Sequence, residues 1–552
     1  MLDTARSVTQ NVMAGAELAR HSVQVATSDE LEELFTSAAY NEVDERASHM
    51  ISSSEPLVLV DLLQPTSDRH TAIAIPATDI RVTYGSLRSQ IESLAEALAT
   101  AGVARGDRVG IALPNGLPAV VCFLAASVAG TAAPLNPAYT EEEFRFYLND
   151  TGARTLIVPP DGAEAARKAA GDRIRILTAE AAPTGIVQLS GTSGRASISI
   201  PSKDDVALVL HTSGSTGRPK RVPLTHANLS ISARNIARWY KLGPDDVSLC
   251  VMPLFHVHGL VASMLATLAT GGTLVVPPKF NPLSFWRVAR DHGVTWFSAV
   301  PTLHQLLLAR RGAGRPSGSE KLRFIRSCSA SLPPRVMHEM EASFGAPVLE
   351  AYGMTEAAHQ IASNPLPPSE HKAGSVGCGA DVSVGVMDEE GNLLPAGQRG
   401  EVVIKGPNVI RGYENNPEAN VQSFFDGWFR TGDEGFLDRD GYLTLVARIK
   451  ELINRGGEKF APREIDEVLL AHPAVAEAVT FGVPHATWGE EVAAAVVLRD
   501  TATEEELMAH CRERLADFKS PKRIHITERI PRTATGKIQR RMVAEAYSQD
   551  AS

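Results

Sequence analysis

Apolar positions fall in short blocks between stretches of helical spacing. Apolar runs recur at 154–158, 206–210, 272–276, 294–298 and 322–327. That alternation predicts sheets with helices packed on their faces. Over 105–113 a turn leads into a buried strand, and 117–129 reads as the helix that follows it. Residues 163–201 mix Gly, Thr and Ser with little period and are expected to loop over the surface. Between 381 and 445 the pattern turns β-rich, with strands over 382–387, 400–405 and 441–445 and turns at Glu390-Gly391-Asn392 and Asp440-Gly441. Beyond the junction at Arg448-Ile-Lys-Glu-Leu-Ile a separate small α+β unit is expected. It should hold helices over 464–470 and 504–515 and strands over 475–483 and 491–498. Residues 1–50 are Ala/Ser/Glu-rich and weakly periodic, an extension with no readable chemistry. The expectation is an α/β protein: a large N-terminal domain of packed β-sheets with flanking helices over 51–449, and a small mobile α+β domain over 450–552.

The chain has 552 residues, too many for one ordinary core. Apolar residues make up 44% and charged ones 21%, which excludes a disordered, collagen-like or coiled-coil protein. Lys+Arg 54 against Asp+Glu 64 leaves a net charge of −10, so no nucleic-acid partner and no polybasic membrane surface is expected. Cys122, Cys250, Cys328, Cys378 and Cys511 show no metal or disulfide spacing and read as reduced thiols. The most apolar stretches, 117–135 and 259–278, approach the ~20 residues of a membrane span. They are Ala-rich and broken by Gly or Pro, hence buried core and not integral to a membrane. Neither a secretory signal nor a peroxisomal ending is present, so a cytoplasmic location is expected.

The strongest local signal is Leu210-His-Thr-Ser-Gly-Ser-Thr-Gly-Arg-Pro-Lys220. An apolar strand runs into a loop of hydroxyls (Thr212, Ser213, Ser215, Thr216), two glycines (Gly214, Gly217) and Lys220. Glycines let backbone N–H groups approach a phosphate chain, hydroxyls add donors and the lysine adds charge. The spacing is not that of a P-loop, and Pro219 disfavours direct entry into a helix. Three other segments add to it. Leu349-Glu-Ala-Tyr-Gly-Met-Thr-Glu356 sets Tyr352 to stack on a base and puts Thr355 beside Glu356, suited to phosphate and Mg2+. Asp433, in Gly427-Trp-Phe-Arg-Thr-Gly-Asp, is suited to accept from two ribose hydroxyls, and Pro531-Arg-Thr-Ala-Thr-Gly-Lys537 presents a lysine on a loop. Alone, each reads equally well as a core tyrosine, a surface acid or a solvated lysine.

In this order the segments resemble the adenylate-forming superfamily of acyl-CoA synthetases, peptide-synthetase adenylation domains and luciferases, over roughly residues 55–545. The resemblance implies an AMP-binding adenylation domain with a mobile C-terminal lid, and two half-reactions. Carboxylate plus Mg-ATP gives acyl-AMP and pyrophosphate, and a thiol then attacks the acyl-AMP. It implies that Thr212 through Gly217 with Lys220 hold the β- and γ-phosphates, and that Ala330, Ser331, Glu350, Ala351, Tyr352 and Gly353 form the adenine pocket. Thr355 is the implied phosphate contact, Glu356 the Mg2+ ligand, Asp433 and Arg448 the ribose clamp, and Lys450 the hinge. Lys537 is implied to bridge the attacking carboxylate and the α-phosphate, where developing negative charge favours a fixed cation.

Only residues 538–552 follow Lys537, so the acceptor thiol is expected from outside, with coenzyme A the simple choice. Arg455, Gly456, Gly457 and Lys459 resemble the loop beside the pantetheine arm in CoA-using members, and Lys459, Arg463, Lys519, Lys522 and Arg523 are candidates to neutralise CoA phosphates. Pro253-Leu-Phe-His-Val-His-Gly-Leu, Arg326-Ser-Cys-Ser-Ala-Ser-Leu and Tyr352-Gly-Met-Thr-Glu-Ala-Ala-His-Gln resemble the oxalyl-CoA synthetase branch. A small diacid needs polar groups around its distal carboxylate, and His256, His258, Ser329 and His359 are the candidates. An apolar tunnel would bury that second carboxylate unpaired, at a cost of several kcal/mol. Gly353 stands where that branch carries alanine and is expected to leave slightly more room. The alternatives are a medium-chain or aromatic acyl-CoA synthetase, a ligase that loads a carrier protein, and an idle nucleotide-binding scaffold. The last has no physical need for Lys220, Glu356, Asp433, Arg448 and Lys537 together.

Overall fold

The computed structural model describes residues 58–63, 67–76, 78–192, 196–212, 219–312, 314–485, 487–532 and 538–547. The expected extension over 1–50, the loop residues Ser213, Gly214, Ser215, Thr216 and Gly217, and Lys537 lie outside them.

Two large sheets carry the N-terminal domain. In one, Val187–Ser190, Arg175–Ala181, Thr155–Val158, Arg108–Ile111, Thr131–Pro134, Val206–Thr212 and Lys220–Thr225 lie side by side. The other runs Cys378–Gly379, His359–Ser363, Val348–Met354, Phe324–Ser327, Trp296–Ala299, Val247–Leu249, Thr273–Val275, Thr71–Ala74, Arg81–Thr83. Their inner strands pair in parallel and their edges antiparallel. Inner strands such as Trp296–Ala299 and Phe324–Ser327 are buried at every position, which is why they read as continuous apolar runs and not as alternation.

The helix Leu117–Ala129 forms where expected, with Pro118 in its first turn. All but one of its residues are buried, so the span-like composition reflects a helix surrounded by protein. No helix among the described residues is long and apolar enough to cross a membrane. A third sheet, over Ser383–Met387, Gly400–Lys405, Phe424–Phe425, Trp428–Leu437 and Leu443–Arg448, matches the β-rich reading. The small domain has its own five-stranded sheet, from Ile453–Arg455 to Arg523–Ile526, and its own apolar core around Ile465, Leu469, Val496, Leu507 and Ile524.

One expectation fails. The supposed loop 163–201 contains the helix Glu164–Ala170 and the antiparallel pair Arg175–Ala181 with Val187–Ser190. Val187–Ser190 is the sheet's edge and Arg175–Ala181 the next strand in, with one face toward solvent where polar residues are tolerated, so the apolar period is diluted.

After Val257 the chain enters a wide π-helical turn over His258–Leu265, all of it buried. Such turns are rare and cluster at functional sites. Gly259 makes this one possible, because a Cβ there would lie 2.2 Å from the Pro253 carbonyl oxygen. Gly259→Ala is expected to destabilise the protein by about 1–3 kcal/mol through overpacking. A thermal midpoint several degrees lower would register it, and an unchanged midpoint would show that the turn relaxes freely.

Candidate active site

Thr212 and Lys220 face each other across the antiparallel pair Val206–Thr212 and Lys220–Thr225, at the two feet of the phosphate-loop segment. The Lys220 ammonium lies 4.4 Å from the centroid of the Tyr413 ring. Partial burial lowers its pKa, Glu356 opposes that shift, and the charge of Lys450 adds to it. Lys450, expected at the hinge, is therefore close enough to be felt at Lys220.

Thr355 and Glu356 sit buried on the short 3-10 turn Thr355–Ala357. The Tyr413 hydroxyl donates to Glu356 Oε1 at 2.8 Å, and the Ile410 amide donates to the Glu356 carbonyl at 2.8 Å. Burial and the adjoining carboxylate push the Tyr413 phenol strongly upward. No described group hydrogen-bonds the second Glu356 oxygen. A Mg2+ ion that takes most of its ligands from substrate phosphates needs only one or two protein carboxylates, so the site fits this cation.

Asp433 lies opposite Arg448 in the pairing of Trp428–Leu437 with Leu443–Arg448. Arg448 Nε is 2.8 Å from Asp433 Oδ1, and the Tyr352 hydroxyl donates to Asp433 Oδ2 at 2.5 Å. The Tyr352 phenol is raised well above its ordinary range by burial and by Asp433. The expected base-stacking tyrosine and ribose-binding acid thus form one hydrogen-bonded unit. Ala330 and Ser331 are exposed, and the loop carrying them is tied to Glu350, whose Oε1 accepts the Leu332 amide at 2.9 Å. Ala351 is buried in the same strand, Val348–Met354.

The acyl candidates gather at the end of the nine-stranded sheet. His258 Nδ1 is 3.1 Å from Ser329 Oγ, and its Nε2 is 2.7 Å from Ser298 Oγ. The His258 and His359 rings lie 5.1 Å apart between centroids. Ser329 and His359 both take positive φ, 74° and 103°, strain of the kind that functional sites retain. His256 is half-buried just before the π-helical turn. The room expected at Gly353 is not there. A Cβ on Gly353 would stand 1.9 Å from the His359 carbonyl oxygen, beside a register shift in the strand pairing. Glycine serves there to let two backbones approach, not to widen the pocket.

In the small domain Gly456 and Gly457, with φ of 65° and 96°, make a two-residue hairpin turn between Arg455 and Glu458. Arg455 is committed to Glu491, with contacts of 2.6 and 3.0 Å. Lys459 is exposed. Of the other cations, Arg463 pairs with Glu467 and donates to the Leu445 carbonyl, Lys519 pairs with Glu464 and Lys522 with Asp517. Of the described residues before and after Lys537, Arg532 pairs with Glu477 at 2.6 Å and Arg540 with Asp466 at 2.5 Å.

Residues 64–414 match the model of the AMP-binding enzyme family, and residues 464–537 match that of the AMP-binding enzyme C-terminal domain. The chain belongs to the AMP-binding enzyme family. It is 47% identical to an oxalate–CoA ligase of Arabidopsis thaliana, over 84% of this chain and 93% of that protein. It is 39% identical to a sulfoacetate–CoA ligase of Cupriavidus necator, over 84% of this chain and 92% of the relative. The ATP-bound structure of MatB from Rhodopseudomonas palustris superposes with a TM-score of 0.83 at 32% identity, covering 90% of this chain and all of MatB. This AMP-binding enzyme is an AMP-forming acid–CoA ligase that uses ATP, Mg2+ and CoA.

Three contributors escaped the sequence reading. Tyr413 lies outside every motif and reaches Glu356 and Lys220 only through the fold. Trp488, half-exposed, lies with its ring 5.2 Å from the Arg455 guanidinium and packs over Gly456. Arg326 is fully buried, with its guanidinium on Tyr240, Ser298, His359 and Gln360 at 2.9–3.2 Å. An arginine in an otherwise apolar buried run was the available signal for the last.

Burial also raises the Glu350 carboxyl to about 7 and leaves its Oε2 without a partner. Its folded pKa exceeds the unfolded one, so the folded form binds the extra proton and stability falls as pH rises toward and through 7. Glu350→Gln keeps an acceptor for the Leu332 amide and removes that titration. Between pH 5 and 8 the substrate-free variant is expected to lose less thermal stability than the parent. Equal losses would place the titration elsewhere.

Proposed function

We propose that the chain is an ATP-dependent oxalate–CoA ligase, with a lid over 450–552 that turns about Lys450 between two half-reactions. The observation that carries this reading is the cluster of buried His258, Ser298, His359 and Arg326 with partly exposed Ser329 at the acyl end. An acyl pocket closed by this many donors suits a short acid whose far end is charged and disfavours an aliphatic or aromatic tail. The oxalate–CoA ligase and the sulfoacetate–CoA ligase are named for acids that join a carboxylate to a second anionic group.

In the first half-reaction one oxalate carboxylate attacks the α-phosphorus of ATP, forming the mixed anhydride and expelling pyrophosphate. Thr212 through Gly217 with Lys220 hold the β- and γ-phosphates, and Thr355 contacts the reacting phosphate. Glu356 would hold Mg2+, which supplies charge neutralisation along the phosphate oxygens. Ala330, Ser331, Glu350, Ala351, Tyr352 and Gly353 receive the adenine, and Asp433 with Arg448 receives the ribose. Lys537 neutralises charge where the carboxylate meets the α-phosphate. In the second half-reaction the CoA sulfur attacks the acyl carbon, and AMP leaves. The Gly456–Gly457 turn flanks the pantetheine arm, Lys459 lies on its exposed side, and Arg455 acts by fixing the turn through Glu491. Five unpaired cysteines, four of them buried, accord with a reducing, cytoplasmic setting.

The test supplies Mg-ATP, CoA and an equimolar mixture of oxalate, sulfoacetate, octanoate and a cinnamate, and resolves the CoA thioesters by mass. Oxalyl-CoA is expected to dominate. A dominant octanoyl or cinnamoyl product would overturn the polar-pocket reading, and acyl-AMP without thioester would point to a carrier-protein acceptor. Lys537→Ala is expected to slow adenylation by roughly ten- to a hundredfold, the loss of one charge-assisted contact. Its thioester formation from supplied oxalyl-AMP should be far less affected, and equal loss in both steps would remove the assigned role.

A further inference from the structure

We propose that Arg326 is the positioning residue that makes this enzyme select a second negative charge on its acid, acting through His359 and Ser298 without touching the substrate. This rests on the reading of the acyl pocket given above. Arg326 has no solvent exposure, and its hydrogen-bond partners are all neutral: the Tyr240 hydroxyl, Ser298 Oγ, Gln360 Oε1 and His359 Nε2. No described carboxylate pairs with it. The contrast with Arg540 is direct, for that partly buried arginine is balanced by Asp466 and Glu451. A charge removed from water with only neutral acceptors is costly, and an anion arriving nearby relieves the imbalance.

The geometry also says how the charge is delivered. A guanidinium only donates, so His359 Nε2, 3.2 Å from Arg326 Nη1, must accept and carries no proton. The His359 ring is therefore held neutral with its proton on Nδ1. The pocket's permanent positive charge lies on Arg326, one residue behind the histidine. A second branch runs through Ser298, which accepts from Arg326 Nη1 at 3.0 Å and meets His258 Nε2 at 2.7 Å. His258 in turn meets the partly exposed Ser329 at 3.1 Å. Hydrogen bonds strung from a buried cation polarise one another in the same sense, so the branch through Ser298 and His258 ends at Ser329 as a donor toward an anion. A monoacid leaves the cation unbalanced, whereas a short diacid places its far carboxylate at the Ser329 end of this chain.

Oxalate and oxamate test this, because oxamate replaces the second carboxylate with an amide of nearly the same shape. Steady-state kinetics would be measured with both acids on the wild type, Arg326→Gln and Arg326→Lys. The wild type is expected to favour oxalate by roughly a hundredfold in kcat/KM, the scale of a desolvated charge-assisted contact. Arg326→Gln should erase most of that preference through a rise in KM for oxalate, with KM for ATP unchanged. Arg326→Lys, which keeps the charge, should retain a preference of at least about tenfold. Three results would overturn the proposal: a wild type indifferent between the two acids, an Arg326→Gln variant that loses both acids equally, or an Arg326→Lys variant no more selective than Arg326→Gln. If Arg326→Gln does not fold, the wild-type and lysine comparisons still decide. A wild type that makes no oxalyl-CoA but prefers another diacid to its own monoamide would remove oxalate while leaving the role of Arg326 intact.

Discussion

A guanidinium buried without a carboxylate among the described residues is the constraint around which the proposed acyl site is arranged. Left alone, such a charge would cost on the order of several kcal/mol. Arg326 is tolerated because four groups from three elements converge on it: Tyr240 at the end of a helix, Ser298 from the neighbouring strand, and His359 and Gln360 from the strand next but one. Meeting those contacts fixes how the strands Trp296–Ala299, Phe324–Ser327 and His359–Ser363 sit relative to one another. It also fixes the ring of His359, whose backbone is held at positive φ against Gly353. The local strain and the glycine follow from the same requirement.

The nucleotide half uses a different physical device. Its polar groups are balanced in pairs before any substrate arrives: Asp433 by Tyr352 and Arg448, Glu356 by Tyr413 and the field of Lys220. Preformed pairs cost little to hold and can be exchanged for substrate hydroxyls, phosphates and a divalent cation. The two halves share strands. Phe324–Ser327 carries Arg326 and leads to Ser329, Ala330 and Ser331, while Val348–Met354 carries Glu350 and Tyr352 and is followed by Thr355 and Glu356. One sheet end therefore carries both the residues proposed for the acyl group and those proposed for adenine, as the proposed in-line attack on the α-phosphorus requires.

Much of this was legible in the sequence, for identifiable reasons. Strands buried on both faces and the helix Leu117–Ala129 announce themselves as unbroken apolar runs, and the pairing of Asp433 with Arg448 was implied by the family resemblance. The edge strand Val187–Ser190 and its neighbour Arg175–Ala181 were not legible, because one solvated face lets polar residues dilute the period. Gly353 was misread as space when it marks a close approach of two backbones, a distinction that needs coordinates. Tyr413 was invisible because topology, not local sequence, brings it to Glu356. Arg326 was passed over because an arginine is taken as a surface residue by default. Its place directly after Phe324 and Ile325 in a short strand-like run was a signal that something must satisfy a buried charge.

Calorimetric titration of oxalate into the enzyme saturated with Mg2+ and a non-cleavable ATP analogue tests the central claim most directly, because it reads the pocket without turnover. The account predicts one saturable site per chain for oxalate that octanoate does not occupy. Saturable binding of octanoate at that site, with none of oxalate, would contradict it.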